Sequence, residues 1–176
     1  KIFKILGFAE LNSGMSVLNL GQNNVLYNEL LENILVEQGE GSFMNLNFEK
    51  MNSSENTFDR VFMIENYHTL YSDFAEPKTD AVQELLEKVS HTLKPGGLVI
   101  IIDHDAEKGS TISTASSINR LSDEIVMSDM KNAGFEFVDN IHILKDDWED
   151  DLTISAFDPS VIGSTSRFVH KYRSPN

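Results

Sequence analysis

His91-Thr92-Leu93-Lys94-Pro95-Gly96-Gly97-Leu98-Val99-Ile100-Ile101-Ile102-Asp103-His104 carries the strongest structural signal in the chain. A helical pattern stops at Leu93. Pro95 cannot continue a helix, and the two glycines after it turn the backbone. Leu98 to Ile102 is then unbroken apolar sequence. A strand without polar alternation is buried on both faces, the habit of central parallel strands in α/β proteins. This one emerges at two ionisable residues, Asp103 and His104. In open α/β sheets ligands bind outside the carboxyl ends of the strands, so both residues are candidates for chemistry.

Upstream, Ala81, Val82, Leu85, Leu86 and Val89 recur at helical spacing, and Asp80 with Gln83 has the form of a capping box. Phe58 to Ile64 reads as a strand. Glu65 to Lys78, rich in Tyr, His and Asp, reads as a long loop or short helix. Nearer the start, Lys1 to Phe8 reads as the end of a helix, and Met15 to Leu20 and Ser42 to Phe48 as strands. Between those strands Val25, Leu26, Leu30, Leu31, Ile34 and Leu35 make a helical stripe. Asn24 is placed to cap it, and Gly39 and Gly41 to end it. Downstream, Gly109 to Ser117 is Gly/Ser/Thr-rich and is expected to be a mobile loop. Ser122 opens a helix containing Ile125, Val126 and Met130, which Gly134 closes. Phe135 to Leu144 and Arg167 to Tyr172 read as closing strands, with an acidic loop from Asp146 to Asp151 between them.

Strands alternating with helices predict a three-layer α/β/α domain with a mostly parallel sheet. Two closing strands with no helix between them predict an antiparallel edge. No internal repeat or boundary divides residues 1–176, which fit a single domain. With 14 basic and 28 acidic side chains, the formal charge of −14 repels a phosphate backbone, so neither nucleic acid nor an anionic membrane surface is an expected partner. The absence of cysteine excludes disulfides, thiolate metal sites and cysteine nucleophiles. No apolar run approaches the roughly 20 residues that span a bilayer. Lys1 rather than Met stands first, which leaves room for a leader or an N-terminal helix upstream. The expected compartment is the cytoplasm, with a removed export signal as the alternative. Oligomeric state is not legible.

The element order, with Leu93-Lys94-Pro95-Gly96-Gly97 ahead of a late strand, resembles a class I S-adenosylmethionine-dependent methyltransferase. Phe58-Asp59-Arg60-Val61 resembles that family's fourth strand, and Gly134-Phe135 its approach to the sixth. More narrowly, residues 58–173 are similar to a group of bacterial predicted methyltransferases of unknown substrate. That likeness rests on Glu65-Asn66-Tyr67-His68, Leu70-Tyr71, Phe74-Ala75-Glu76-Pro77, Asp103-His104, Phe157-Asp158-Pro159 and Arg167-Phe168-Val169.

The resemblance implies a Rossmann-like methyltransferase fold and S-adenosylmethionine as cofactor. It implies methyl transfer to a small molecule. In the family the first strand delivers an acid and a glycine-rich loop; here Asn19 and Gly21 stand in that place. The second strand usually ends in an acid for the ribose; here it ends at Asn47, with Glu49 two residues later. Asn66, after the next strand, is a further cofactor-binding candidate. The stretch between Asn47 and Phe58 is too short for the family's pattern, so one βα unit is expected to be missing. Asn47-Phe48-Glu49-Lys50-Met51 also resembles the exit of the third strand, which would make the second the absent one. Asn in place of two acids also raises an alternative, a degenerate domain that keeps the fold as a binding or assembly module without turnover. A third is use of the cofactor site for another reaction on a sulfonium compound.

His68 follows a strand end, and imidazole titrates near neutrality, which suits removal of a proton from a methyl acceptor. Its bland reading is a loop histidine bonded to backbone. Asp103 and His104 are candidates for a base and its orienting carboxylate. Neighbours on an extended strand point to opposite faces, so they are not expected to bond each other; either can instead pair with His68, or the two simply form a polar strand terminus. Carboxylates such as Asp103 and Asp105 are expected to push the base's pKa upward. The loop carrying His68 also supplies Asn66, Tyr67 and Tyr71 as a substrate wall, with the two tyrosines as substrate-binding candidates. Arg120 suits bidentate recognition of a carboxylate, or else a structural ion pair; Arg167 reads as an ion pair. The acidic loop lacks the spacing of a calcium site and reads as solvated, so no metal is expected. His91, His142 and His170 read as structural. No zinc spacing, Walker loop, Gly-x-Ser-x-Gly or Gly-x-Gly-x-x-Gly occurs.

Overall fold

The structure is a computed structural model that describes residues 1–21, 25–37, 40–52, 54–72, 79–145 and 150–175. The strands are β1 (Ser16–Leu20), β2 (Ser42–Leu46), β3 (Phe58–Ile64), β4 (Leu93–His104), β5 (Glu136–Asn140) and β6 (Arg167–Arg173). They form one sheet in the order β2-β1-β3-β4-β6-β5. The first four run parallel. β6 is antiparallel to both neighbours, so the reversed strand is second from the rim and the sheet closes on an antiparallel edge. No helix separates β5 from β6 among the described residues, so the chain returns in the opposite direction.

The helices are α1 (Ile2–Phe8), α2 (Val25–Glu32), α3 (Thr69–Ser72), α4 (Thr79–Thr92), α5 (Ser113–Ile118) and α6 (Asp123–Asn132). A π turn, Asn33–Glu37, extends α2, and a 3-10 turn, Phe48–Lys50, follows β2. The run Leu98 to Ile102 explains the layering. Leu98, Ile100 and Ile102 pack beneath α1 and α2 against Ile5, Leu31 and Leu35. Val99 and Ile101 pack on the opposite face against Leu86, Val89, Val126 and Met130 of α4 and α6. The period of two in a strand puts alternate side chains in separate layers, and burial of each is worth about 1.5–3 kcal/mol.

Two buried cations hold α1 to the sheet. Arg60 on β3 donates to the carbonyls of Ala9 (2.6 Å) and Glu10 (3.2 Å). Lys171 on β6 donates to the carbonyl of Phe8 (3.1 Å) and pairs with Glu10 at 2.8 Å. Both satisfy carbonyls at the helix's carboxyl end, where the macrodipole favours positive charge.

Some elements follow expectation and others depart from it. β2 pairs residue for residue with β1, from Ser16 with Ser42 to Leu20 with Leu46, so it occupies the place beside the first strand. Only the 3-10 turn lies between β2 and β3 among the described residues, which is where the sheet is shortened. The segment expected to be a loop from Gly109 folds as α5 from Ser113. Its hydroxyls bond back to preceding carbonyls, and Ala115 is buried in the core. Asp80 lies inside the first turn of α4 rather than at its cap, where its charge still complements the dipole. Ser122 does cap α6, accepting from the Glu124 amide. Asn24, Gly39 and Phe74 to Pro77 lie outside the described residues.

Candidate functional site

From β1 the chain moves to β2 on one side and then crosses to β3 on the other. The order therefore reverses between β1 and β3, and such a switch point opens a crevice at the carboxyl ends of the strands. Gly21 leaves β1 there with φ +116°, a conformation open to glycine and strained for other residues. Opposite it, Glu65 takes φ 55° at the end of β3 and turns the chain so that Asn66 faces the crevice. The Asn66 side chain donates to the Leu20 carbonyl at 3.1 Å, lacing β3 to β1. A Cβ on Gly21 would stand 2.1 Å from Asn66 Nδ2, so this approach requires glycine. Asn19, at the other side of the same strand end, donates to Asn28 Oδ1 on α2 at 2.6 Å.

Both amides leave an oxygen stranded. Asn19 Oδ1 and Asn66 Oδ1 are buried without a hydrogen-bond partner. An unsatisfied buried acceptor costs about 1–3 kcal/mol, so these atoms are suited to an incoming N–H donor. The residues here fit the amino-acid end of S-adenosylmethionine in donor set, with two buried acceptors for an ammonium group, one of them on the Asn66 side chain that packs against Gly21. The ribose side is weaker. Asn47 is exposed and makes no cap hydrogen bond, and Glu49 in the following turn is the nearest carboxylate in sequence.

Asp103 and His68 meet at the ends of β4 and β3. Asp103 Oδ1 lies 2.8 Å from His68 Nδ1, and Oδ2 accepts from the His68 backbone amide at 2.7 Å. Asp103 Oδ1 also accepts the His104 backbone amide at 2.8 Å. A carboxylate on Nδ1–H fixes the tautomer in which Nε2 is the acceptor. His104 turns its Nδ1 to Thr165 Oγ1 at 2.9 Å, and its Nε2 is buried with no partner. The two imidazole centroids are 5.9 Å apart. Phe157 joins them, 6.4 Å from His68 and 5.7 Å from His104. Burial holds the His104 pKa below the ordinary imidazole value, against the pull of Asp103 and Glu65; His68 and Arg167 reinforce the depression. The expected upward push by carboxylates is overturned there, because desolvation outweighs them.

Three other candidates lie elsewhere. Tyr67 and Tyr71 are core residues, not a substrate wall. Both hydroxyls donate to Asp129 Oδ2 on α6, at 3.0 and 2.6 Å. Burial raises the Asp129 pKa against those two hydrogen bonds. Asp129 was missed; its signal is position, since it lies on the apolar stripe between Val126 and Met130. Arg120 is fully buried in a bidentate pair with Asp150, at 2.9 and 2.6 Å. It also donates to the carbonyls of Ile154 and Asp105. It is therefore the structural ion pair, with no donor turned to a substrate. The same contact corrects the acidic loop, because the Asp150 side chain has no exposed area. Asp146, Asp147 and Glu149 lie outside the described residues.

Arg167 pairs with Glu65, as an ion pair. His91 and His142 are exposed, and His170 is buried between Tyr172 and Asp123. Phe157, Thr165 and Asn28 join the site without having been read from sequence. Only the Phe157-Asp158-Pro159 piece of the family likeness pointed near it. Among the described residues no cluster of three or more His, Asp and Glu side chains is arranged for a metal, and no helix is long and apolar enough to cross a membrane.

No protein-family model and no curated protein matches the sequence. Solved structures match it in fold. An S-adenosylmethionine-dependent methyltransferase from Aquifex aeolicus gives a TM-score of 0.64 at 18% identity, covering 98% of this chain and 88% of that one. In the Haloferax volcanii complex between the Trm112 methyltransferase activator and a methyltransferase, the matched chain gives 0.62 at 16%, covering 99% and 89%. The [4+2]-cyclase SpnF gives 0.56 at 14%, covering 98% and 79%. The chain has the Rossmann-like fold of these proteins, and a fold shared with a cyclase does not by itself assign the reaction.

Proposed function

We propose that this domain binds S-adenosylmethionine in the crevice between β1 and β3 and transfers its methyl group to a small molecule held at the ends of β3 and β4. One juxtaposition carries the reading. Two buried unpartnered amide oxygens, of Asn19 on β1 and of Asn66 packed against Gly21, lie near the strand ends, and the carboxylate-oriented imidazole of His68 follows Asn66 by two residues. The likeness of residues 58–173 to bacterial predicted methyltransferases supports it.

Asn19 and Asn66 would hold the ammonium group through their free oxygens, and Gly21 leaves the room that the Asn66 side chain occupies. Asn47 and Glu49 are the groups available to the ribose. When bound, S-adenosylmethionine supplies an electrophilic methyl group on a sulfonium sulfur. The protein's own task is placement and proton removal. His68 Nε2 accepts the acceptor's proton, and Asp103, already bonded to Nδ1, stabilises the imidazolium. General base catalysis of this kind contributes roughly 100-fold to 10,000-fold.

Ligand binding should raise the melting temperature by mass action, with about 2.7 kcal/mol of stabilisation at 100 times Kd. Asn19→Asp and Asn47→Asp should each tighten binding by adding charge opposite the ammonium and an acceptor for the ribose. His68→Gln should lower turnover by roughly 100-fold or more with cofactor affinity nearly unchanged. No thermal shift at millimolar ligand, in wild type and both Asp variants, would return the domain to a non-catalytic module.

A further inference from the structure

Two imidazoles and one aromatic ring form a cluster that the proton-removal step uses only in part. His104 is 5% exposed, and its Nε2 has no partner. Phe157 lies in a turn rather than a strand or helix, and it is 52% exposed although its ring meets both imidazoles. A half-exposed aromatic ring set edge-on to an imidazole with a buried unsatisfied nitrogen is costly for an isolated protein. It is suited to a flat ligand with one polar edge.

We propose that His68, His104 and Phe157 form the acceptor subsite, and that the acceptor is a neutral phenol whose ring packs on Phe157 and whose hydroxyl lies between the imidazoles. This rests on the methyl-transfer reading above.

Acid strength selects the hydroxyl. A phenolic O–H has a pKa of about 10 and an imidazole about 6.5, a gap of roughly 3.5 units that a general base bridges. An alkyl hydroxyl lies near water at about 15.7, so a phenol is the acceptor that gives up its proton more readily to the same base. Charge selects neutrality. Asp103 is already bonded to the His68 ring, the His68 amide and the His104 amide. Glu65 is paired with Arg167. An ammonium acceptor would find no open carboxylate here among the described residues, and a carboxylate acceptor no open cation. Burying an unpaired charge is expensive, whereas a phenol brings none. His104, kept neutral by burial, directs its free nitrogen to the same oxygen.

In the transfer, His68 Nε2 takes the phenol's proton as the oxygen attacks the methyl carbon. The carbon–sulfur bond of the sulfonium donor breaks, and its electron pair stays on sulfur. The products are an aryl methyl ether, a neutral thioether and a protonated imidazole that releases its proton to water.

The test uses the full chain without donor and titrates 4-nitrophenol, whose anion absorbs visible light. Saturable binding with growth of the phenolate band is expected. Phe157→Ala, at a half-exposed turn position, should weaken binding about 10-fold through loss of the aromatic contact and its buried area. His68→Gln should bind without the phenolate band, and His104→Gln should weaken binding. Equal binding of nitrobenzene, tighter binding of benzylamine, or indifference to both Phe157→Ala and His104→Gln would overturn the proposal. The thermal shift with S-adenosylmethionine, measured on the same samples, separates the two readings. A shift without phenol capture removes the phenol and leaves methyl transfer standing. Phenol capture without a shift supports the subsite and removes the donor.

Discussion

Arg120→Met is a direct test of what that arginine does. The substitution keeps an unbranched stem and removes the guanidinium. It deletes two bonds to Asp150 and one each to the carbonyls of Ile154 and Asp105. Asp150 would be left buried, still accepting from the Ser166 amide at 2.7 Å. Both side chains of the pair have no exposed area, so solvent cannot take over. Removing one partner of a buried pair costs about 3–5 kcal/mol. For a chain of this size each kcal/mol moves the melting temperature by about 2–4 °C, which predicts a loss of roughly 6–20 °C. Thermal melts followed by circular dichroism, with urea midpoints alongside, read it directly. The paired change Arg120→Met with Asp150→Leu should recover much of the loss, because it removes both charges together. The cycle should show a coupling of about 2 kcal/mol or more. A melting temperature within about 2 °C of wild type, with acceptor binding abolished, would refute this. It would restore Arg120 as a substrate ligand.

Two further outcomes follow from the site. Gly21→Ala places a methyl group 2.1 Å from Asn66 Nδ2 on a backbone at φ +116°; beyond about 1–3 kcal/mol of backbone strain, it should abolish the thermal shift by S-adenosylmethionine. An undiminished shift would place the ligand elsewhere. His104 has a depressed pKa, so the folded state binds fewer protons than the unfolded state between that pKa and about 6.5. Stability from this group is present above the window and lost as pH falls through it. The fall in urea midpoint from pH 7.5 to acid should therefore be smaller in His104→Gln, and an equal fall in both proteins would remove the assignment.

Much of the architecture was legible in the sequence because it rests on local periodicity. Leu98 to Ile102 has no polar member, and such a run has no solvent face to offer, so it had to be central. The helical stripe of Ala81 to Val89 and the Ser122 cap are likewise properties of neighbouring residues. Gly109 to Ser117 misled because its composition favours loops, while burial of Ala115 was invisible locally. The ends of β1, β3 and β4 could be named as the site because the rule for open α/β sheets needs only strand direction and order.

What each polar side chain does there was settled by packing alone. His68 and Asp103 are 35 residues apart, and Tyr67 and Asp129 are 62 apart. No period of two or 3.6 spans such gaps. Tyr67 and His68 are adjacent in sequence, yet one hydroxyl enters the core toward α6 and the other ring meets Asp103. The sequence alone determined that aromatic and ionisable groups gather at these strand ends. The tertiary structure decided which are spent on holding the fold, as Arg120, Tyr67 and Tyr71 are, and which keep an unfilled valence, as Asn19, Asn66 and His104 do. A buried polar atom is satisfied or left waiting according to what another element places within about 3 Å of it, and only the packed fold specifies that neighbour.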